Sequence, residues 1–330
     1  MTLAMMSTMF PESPMKTLVP GRCISIQAPA AVLMVRPHAF TPNPQTAADN
    51  SFQHATPALD TQALARQACD EFDVAVQQLQ AAGVTVHVFD DTGERNTPDA
   101  VFPNNWFSTH AGGHVALYPM SSPNRRRERR SDVIEMLKQT YRVQDVIDYS
   151  GLEPDGLFLE GTGAMVLDHA CRVAYVCRSN RAHPVMLERF ATHFNYEPMV
   201  FDAVDAQGRA IYHTNVLMCI ATDFALIGLD SIPDVQRRQQ VHRRLLESGR
   251  DVLALSFAQI ADFCGNAIEL SAPAGRVLAL SRRALNALSA DQIERIERST
   301  RLLPLDVPTI EMAGGSVRCM LAGLHLSART

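Results

Sequence analysis

The sequence predicts an α/β fold in which a single domain is built from five similar units. Five segments have the apolar spacing of amphipathic helices, and short segments typical of strands surround each one. The units recur at intervals of roughly 45 to 65 residues, which indicates a structural repeat. No G-x-G-x-x-G motif follows a strand and no linker-like stretch divides the chain, so a doubly wound sheet and separate domains are disfavoured. Residues 26–330 are expected to form the domain, and residues 1–25 a flexible leader.

The elements follow from the pattern in chain order. The first helix is predicted from Leu64, Ala68, Phe72 and Leu79 at helical spacing, and Gly83 is predicted to end it. Predicted helices cover residues 64–82, 132–141, 184–194, 233–247 and 290–300. Predicted strands cover residues 31–35, 84–89, 114–120, 143–148, 158–167, 173–177, 197–201, 216–221, 224–229, 251–255, 267–270 and 277–280, with an extended segment at 301–307 and a last strand that contains Cys319.

A long polar loop, Thr41 to Pro57, interrupts the first unit. Long ordered loops are unusual in compact domains and often serve as lids over binding sites. We expect this loop to close over a substrate and exclude water, with Asn43, Asp49 and Gln53 in reach of an amino-acid head group.

Composition excludes several classes of function. The net charge is −5, which gives no general case for nucleic-acid binding, and the basic cluster at residues 125–130 is interpreted as a solvated helix face or loop. The seven cysteines are odd in number and lack metal-ligand spacing, so reduced thiols, no metal site and a cytoplasmic location are expected. No apolar run is long enough to span a membrane. The sequence leaves the oligomeric state open, including a homo-oligomer.

Three residues form a candidate catalytic set. Cys319 follows a turn at Gly314 and Gly315, beside Arg318, and nearby positive charge favours a nucleophilic thiolate. His213 precedes an apolar strand, and Glu160 lies next to small residues at a strand end. A thiol, a histidine and a carboxylate are the components of thiol acyl-transfer chemistry. Each residue also has an ordinary structural interpretation: a core cysteine, a core histidine and a turn cap.

Six short motifs occur in order along the chain: Phe102-Pro-Asn-Asn-Trp-Phe107, Leu159-Glu-Gly-Thr-Gly163, Cys177-Arg-Ser-Asn-Arg181, His213-Thr-Asn215, Gly265-Asn-Ala-Ile-Glu269 and Gly314-Gly-Ser-Val-Arg-Cys319. As an ordered series they resemble the motifs of the guanidino-group modifying enzymes, a superfamily that includes the arginine deiminases, dimethylarginine dimethylaminohydrolases and amidinotransferases. The resemblance covers about residues 30 to 326 and is greatest to the branch of citrulline-utilisation hydrolases. It implies a five-bladed, pseudo-symmetric α/β-propeller, the pentein fold, with no organic cofactor.

The resemblance also implies roles for individual residues. Cys319 matches the nucleophile, His213 the general acid and base, and Glu160 the carboxylate that places the histidine or the substrate. Arg181 matches an arginine that holds the substrate α-carboxylate, for which a guanidinium is well shaped. The substrate-binding residues predicted in the same motifs are Phe102, Asn104, Asn105 and Asn215.

Two departures from the family bear on the substrate. Arginine deiminases carry aspartate where Asn105 and Asn215 stand. An asparagine offers a donor and an acceptor without charge, and a neutral ureido group needs both. We therefore expect hydrolysis of a ureido or guanidino amino acid with citrulline favoured, giving ornithine, ammonia and carbon dioxide. Arginine deimination or dihydrolysis, amidino transfer and a non-catalytic binding protein are the alternatives.

Overall fold

The computed structural model describes residues 25–54 and 60–329. The predicted leader, apart from residue 25, and residues 55–57 of the predicted lid loop lie outside the described residues. The strands are β1 (Ala31–Pro37), β2 (Thr85–Asp91), β3 (Phe107–His110), β4 (His114–Leu117), β5 (Asp145–Asp148), β6 (Met165–Asp168), β7 (Val173–Cys177), β8 (Glu197–Phe201), β9 (Met218–Ile220), β10 (Phe224–Ile227), β11 (Asp251–Ala254), β12 (Ile268–Ala272), β13 (Gly275–Ser281), β14 (Arg301–Leu305) and β15 (Ala322–Gly323).

Helices connect these strands. The α-helices are α1 (Thr61–Ala81), α2 (Ser131–Thr140), α3 (Gly161–Ala164), α4 (Pro184–Phe194), α5 (Val235–Glu247), α6 (Phe257–Ala261), α7 (Arg282–Ala287), α8 (Ala290–Glu297), α9 (Pro308–Glu311) and α10 (Val317–Met320). Short 3₁₀ helices lie at Pro103–Asn105, Arg125–Glu128, Ser150–Asp155, Thr214–Val216 and Leu229–Ser231. No helix in the described part of the chain is both long and apolar enough to cross a membrane.

The strands form five three-stranded sheets that share one topology. In β3-β4-β5, β6-β7-β8, β9-β10-β11 and β12-β13-β14, the first strand runs antiparallel to the second, and the second runs parallel to the third after a helical connection. The remaining sheet joins the two ends of the chain, because β15 pairs antiparallel with β1 and β1 pairs parallel with β2. This repetition is consistent with the expected five-bladed propeller.

The long helix α1 shows how the sequence forms a unit. Asp60 caps its first turn by accepting a hydrogen bond from Gln62 N. Its buried face includes Leu64, Phe72 and Leu79, which pack in one apolar cluster with β1. Gly83, at φ 93°, lets the chain reverse direction into β2. The predicted helix and its predicted stop are therefore confirmed within a few residues.

A short helical turn precedes the first strand of several sheets. Residues 103–105 lead into β3, α3 into β6, residues 214–216 into β9, and α10 into β15. Residues 103–105 pack against α3 and α10, and α3 also packs against residues 214–216. Asn105, Asn215 and Cys319 each lie on one of these turns. The repeat therefore brings equivalent positions of different units together.

Two predictions about local structure are wrong, and two short helices were missed. The predicted strand 158–167 is interrupted by α3, because Gly161 has φ 47° and starts a helical turn before β6. Cys319 lies in α10 and not in a strand, since its N–H donates to Ser316 O at 3.0 Å. The short helices α6 and α7 were not predicted; both begin at serine caps, Ser256 and Ser281.

Candidate active site

Cys319 is held at a fixed place by two asparagine side chains. Asn215 Nδ2 lies 3.1 Å from its Sγ, and Asn266 Nδ2 lies 3.2 Å away. Asn266 Nδ2 also donates to Asn215 O, and Asn266 Oδ1 accepts from the Cys319 N–H. Cys319 is 3% exposed. The sulfur is thus positioned by N–H donors from two other units, and Asn266 is a site residue to which the sequence assigned no role.

His213 and Glu160 form a buried pair in which the Nε2–Oε2 distance is 2.9 Å. Burial lowers the pKa of His213 to about 4, and the hydrogen bond to Glu160 offsets only part of that effect. Burial alone would raise the pKa of Glu160, but Arg181 and His213 outweigh it and hold that pKa well below its usual range. An ionised Glu160 accepts a hydrogen bond from Nε2–H, so the proton of the neutral imidazole stays on Nε2. Nδ1 is then the nitrogen that can accept a proton.

Glycines in α3 make this arrangement possible. A Cβ on Gly163 would lie 2.2 Å from Asn105 Nδ2 and 2.8 Å from His213 Nδ1. A Cβ on Gly161 would lie 2.5 Å from Asn104 O, and its φ of 47° is unfavourable for other residues. The glycine-rich motif therefore leaves room beside the free imidazole nitrogen.

Arg125 is the largest correction to the sequence interpretation. The basic cluster was interpreted as solvated, but Arg125 is 3% exposed and donates to both carboxylate oxygens of Glu128, at 2.8 and 3.0 Å. Its Nη1 donates to Asn105 Oδ1 at 2.9 Å, and its Nε lies 3.6 Å from Asp99 Oδ2. Burial raises the pKa of Glu128 to about 7 despite Arg125. Arg125 and Asp99 are thus site residues missed from the sequence, where one arginine in a run of five looked like a surface charge.

Arg181 is buried and already paired in this structure. Its Nε donates to Asp49 Oδ2 at 2.9 Å, and its Nη2 donates to Asp49 Oδ1. Its guanidinium carbon also lies 4.6 Å from the centre of the Tyr212 ring, and its Nη1 lies 3.5 Å from Glu160 Oε2. Asp49 of the predicted lid loop therefore binds the guanidinium of Arg181, the group that was predicted to bind the substrate carboxylate.

The asparagines of the two motifs differ in what they contact. Among the described residues, Asn105 Nδ2 has no acceptor and Asn215 Oδ1 has no donor, although both atoms are buried. Asp99 Oδ1 is likewise buried without a partner in this part of the chain. Such unpartnered atoms are rare in a folded interior and point to a bound ligand or water. Asn104 is buried with both its side-chain atoms unpartnered, yet it does not line the cavity described next.

These residues surround a narrow cavity of about 20 Å³. Cys319, His213, Arg181, Asn105 and Phe102 all line it; Asn215 and Glu160 reach it only through Cys319 and His213. The further lining residues are Thr46, Asn50, Asp99, Arg125, Tyr212, Ala313 and Gly315. The volume holds about one water molecule, so an amino acid requires part of the wall to move. The loop that carries Thr46 and Asn50 forms part of this wall, and the sequence predicts that the same loop moves.

The described residues do not indicate a metal site. Within residues 25–54 and 60–329, no three histidine, cysteine, aspartate or glutamate side chains are grouped so as to hold a metal ion. The cavity offers one thiol, one neutral imidazole and carboxylates paired with arginines. Such a set fits nucleophilic and acid–base chemistry performed by side chains.

Comparison with known proteins supplies a family. The profile of eukaryotic N,N dimethylarginine dimethylhydrolase matches residues 36–326. The curated proteins contain no match.

Solved structures share the fold at low identity. The N-terminal domain of ArgZ, a cyanobacterial arginine dihydrolase, superposes with a TM-score of 0.68 at 16% identity, covering 88% of this chain and 96% of that domain. Unliganded AgrE gives a TM-score of 0.67 at 17% identity, covering 91% of this chain but 40% of AgrE. A dimethylarginine dimethylaminohydrolase in an adduct with S-methyl-L-thiocitrulline gives 0.59 at 11% identity, covering 88% of this chain and 98% of that one. These are pentein proteins, in agreement with the expected fold.

Proposed function

The chain belongs to the N,N-dimethylarginine dimethylhydrolase family and is an enzyme of the guanidino-modifying superfamily; on that premise we propose that it hydrolyses a terminal C–N bond of a guanidino amino acid. The observation that carries this proposal is that Cys319 and His213 line one cavity, with Glu160 bound to His213. A non-catalytic binding protein would have no need of that combination.

The reaction begins with proton transfer and attack. Nδ1 of neutral His213 accepts the Cys319 proton, and the sulfur attacks the planar guanidino carbon. The C–N bond to the terminal nitrogen then breaks, and the protonated His213 gives its proton to the departing ammonia or amine. Glu160 holds the imidazole in the tautomer that this step requires.

The second half releases the product. A water molecule gives a proton to His213 and attacks the carbon bound to Cys319, the C–S bond breaks, and the thiol is restored. The product of this round is a ureido amino acid such as citrulline. A second round on citrulline would release ammonia and the carbamate of ornithine, which decomposes to carbon dioxide and ornithine.

The charge around the cavity favours a cationic group. Two guanidinium groups, Arg125 and Arg181, lie among four carboxylates. Burial raises the pKa of Asp99 and of Glu128, so part of this negative charge is masked by protons when the cavity is empty. An arriving guanidinium would stabilise the ionised carboxylates and meet the unpartnered oxygen of Asp99. The four carboxylates are Asp49, Asp99, Glu128 and Glu160.

A neutral substrate, citrulline, is the second candidate. Asn105 Nδ2 is an unpartnered donor and Asn215 Oδ1 an unpartnered acceptor, which match the oxygen and the amino group of a ureido group. The relatives described above are named for arginine and dimethylarginine, so a preference for citrulline stays a prediction. Arg181, freed from Asp49, would bind the α-carboxylate in either case, while Phe102 lines the cavity beside Gly315.

The test is product analysis with three substrates. We would incubate the protein with arginine, N,N-dimethylarginine or citrulline, and measure ammonia, dimethylamine and the amino-acid product by mass spectrometry. One ammonia with citrulline indicates deimination; two with ornithine indicate dihydrolysis; dimethylamine indicates dimethylarginine hydrolysis. Amidino transfer would consume arginine only when an acceptor amine such as glycine is present. No consumption of any substrate by folded protein, while Cys319 alkylates no faster than free cysteine, would overturn the proposal.

A further inference from the structure

A second cavity is lined by Arg318, which directly precedes Cys319. It has a volume of about 40 Å³ and shares none of its lining residues with the first cavity. His169, Cys219, Glu269 and His325 also line it. The side chain that the sequence placed beside the thiol thus faces elsewhere.

Arg318 is half-buried and has no carboxylate partner in the described part of the chain. The three fully buried arginines all have one: Arg125 pairs with Glu128, Arg181 with Asp49, and Arg250 with Asp168. Within the described residues Arg318 makes one hydrogen bond, from Nη1 to Leu321 O at 2.8 Å. Partial burial lowers the pKa of Arg318. A guanidinium has five N–H donors, so most of its donor capacity is unused by those contacts.

Two histidines line this cavity without adding charge to it. The rings of His169 and His325 stack with centres 3.7 Å apart. Burial and the neighbouring Arg318 lower the pKa of His325 to about 4, and burial and His325 lower that of His169 well below its usual range. Both rings are therefore neutral at neutral pH because this region already resists further positive charge.

Glu269 is the one carboxylate that lines the cavity, and its oxygens are engaged elsewhere. Oε2 accepts from Thr222 N at 2.7 Å and from its hydroxyl at 2.6 Å, and Oε1 accepts from Thr300 Oγ1 at 2.8 Å. Oε1 also lies 3.5 Å from Arg276 Nε. Both oxygens of Glu269 are thus engaged by these partners, and Glu269 forms no ion pair with Arg318 among the described residues.

We propose that this cavity binds a small monovalent anion, of the size of chloride or nitrate, on the guanidinium of Arg318. The volume exceeds the roughly 10–15 Å³ that one water needs, and it excludes large organic anions. A planar guanidinium fork offers two parallel N–H donors to a planar oxyanion. The anion would supply the negative charge that half-buried Arg318 does not receive from any described side chain, whereas Arg125, Arg181 and Arg250 each receive it from a carboxylate.

Thermal unfolding tests the proposal in solution. At constant sodium concentration and ionic strength, gluconate is replaced stepwise by bromide or by nitrate. A bound anion favours the folded state by a factor of 1 + [L]/Kd, about 11-fold at ten times Kd, which corresponds to a rise in Tm of a few degrees for a domain of this size. We expect a saturable rise with both small anions and none with gluconate. The measurement does not depend on turnover, so it is independent of the proposed reaction.

Variants separate this site from general salt effects. In Arg318→Met the saturable rise should disappear, whereas Arg209→Met, which removes an exposed arginine paired with Asp205, should retain it. An equal rise in wild type and Arg318→Met would overturn the proposal.

Crystals of the wild type provide a second measurement, which also serves if Arg318→Met does not fold. After soaking in sodium bromide, a bromine anomalous peak should lie within hydrogen-bond distance of the Arg318 guanidinium. An empty or water-filled cavity at saturating bromide would overturn the proposal.

Discussion

The two cavities contain the same kinds of residue but differ in their carboxylates. The first holds His213, whose Nε2 contacts Glu160, and arginines that all have carboxylate partners. The second holds His169, His325 and Arg318, none of which contacts a carboxylate among the described residues. A histidine becomes a directed acid–base group when a carboxylate fixes its tautomer. The carboxylate partner of the histidine therefore distinguishes the candidate catalytic site from the second cavity.

The largest expected effect tests which of the two cavities contains the catalytic nucleophile. Cys319→Ser should reduce turnover by at least about 10³-fold, because a serine hydroxyl is a far weaker nucleophile without thiolate character. Steady-state ammonia release and circular dichroism would measure turnover and folding. Cys219→Ala, which alters the other cavity, is the matched control and should retain turnover. Normal turnover by folded Cys319→Ser would end the nucleophile assignment.

The second effect tests the carboxylate itself. Glu160→Gln should lower kcat by roughly 10²- to 10⁴-fold, because an uncharged amide is a weaker acceptor for His213 Nε2–H and can also present its NH₂ group there, so the imidazole tautomer is no longer fixed. It should also destabilise the protein by about 3–5 kcal/mol, because Arg181 loses a nearby buried negative charge. Denaturant unfolding and steady-state kinetics measure both.

Glu269→Gln is the corresponding change in the second cavity. Its carboxylate contacts threonines and an arginine but no histidine, so turnover should persist. A comparable loss of kcat in both variants would remove the distinction between the two cavities.

The third effect concerns the charge of the substrate. Asn105→Asp adds a carboxylate beside Arg125 in the cavity wall, and should shift the ratio of kcat/KM for arginine over citrulline upwards by roughly 5- to 30-fold. Asn215→Asp should act in the same direction. Kinetics on both substrates for the wild type and each variant decide this. An unchanged ratio in both variants would mean that neither side chain meets the reacting group.

The pH dependence of stability should come largely from the side whose histidines have no carboxylate partner among the described residues. His110, in the same cluster of rings as His169, has its pKa lowered well below 6.5, chiefly by burial. Below about pH 6.5 the unfolded chain binds a proton that the folded chain does not, so stability falls as the pH falls. His110→Phe should flatten that slope by about 1.4 kcal/mol per pH unit and leave turnover unchanged. Urea unfolding from pH 7 to 5 measures the slope, and an unaltered slope would contradict the assignment.

The smallest effect concerns the loop over the catalytic cavity. Asp49→Asn removes the charge that holds the loop to Arg181. Because Asp49 is partly exposed, the pair contributes at most about 1 kcal/mol, so loop opening should rise roughly fivefold. Limited proteolysis should show that increase, and a bound substrate should slow cleavage of the wild-type loop. Cleavage that is the same in both proteins, with and without substrate, would count against a lid.

The sequence by itself determined the elements and most of the candidate site. Apolar spacing at Leu64, Phe72 and Leu79 marks α1 because burial of one helix face is a local, periodic property. The ordered motifs indicated Cys319, His213 and Glu160, and the structure places Cys319 and His213 on one cavity with Glu160 against the histidine. Glycine-rich turns mark such places because the close approach of backbone and side chain excludes a Cβ.

Only the tertiary structure decided which charges meet. From the sequence, Arg125 looked like a solvated charge and Arg318 like a charge beside the Cys319 thiol. In the structure, Arg125 lies among carboxylates, and Arg318 faces the second cavity without a carboxylate partner among the described residues. Asp49 and Arg181 are 132 positions apart, and their pairing depends on where the loop crosses the cavity. An ion pair depends on distances between distant segments and on burial, and neither is encoded in the local spacing of residues.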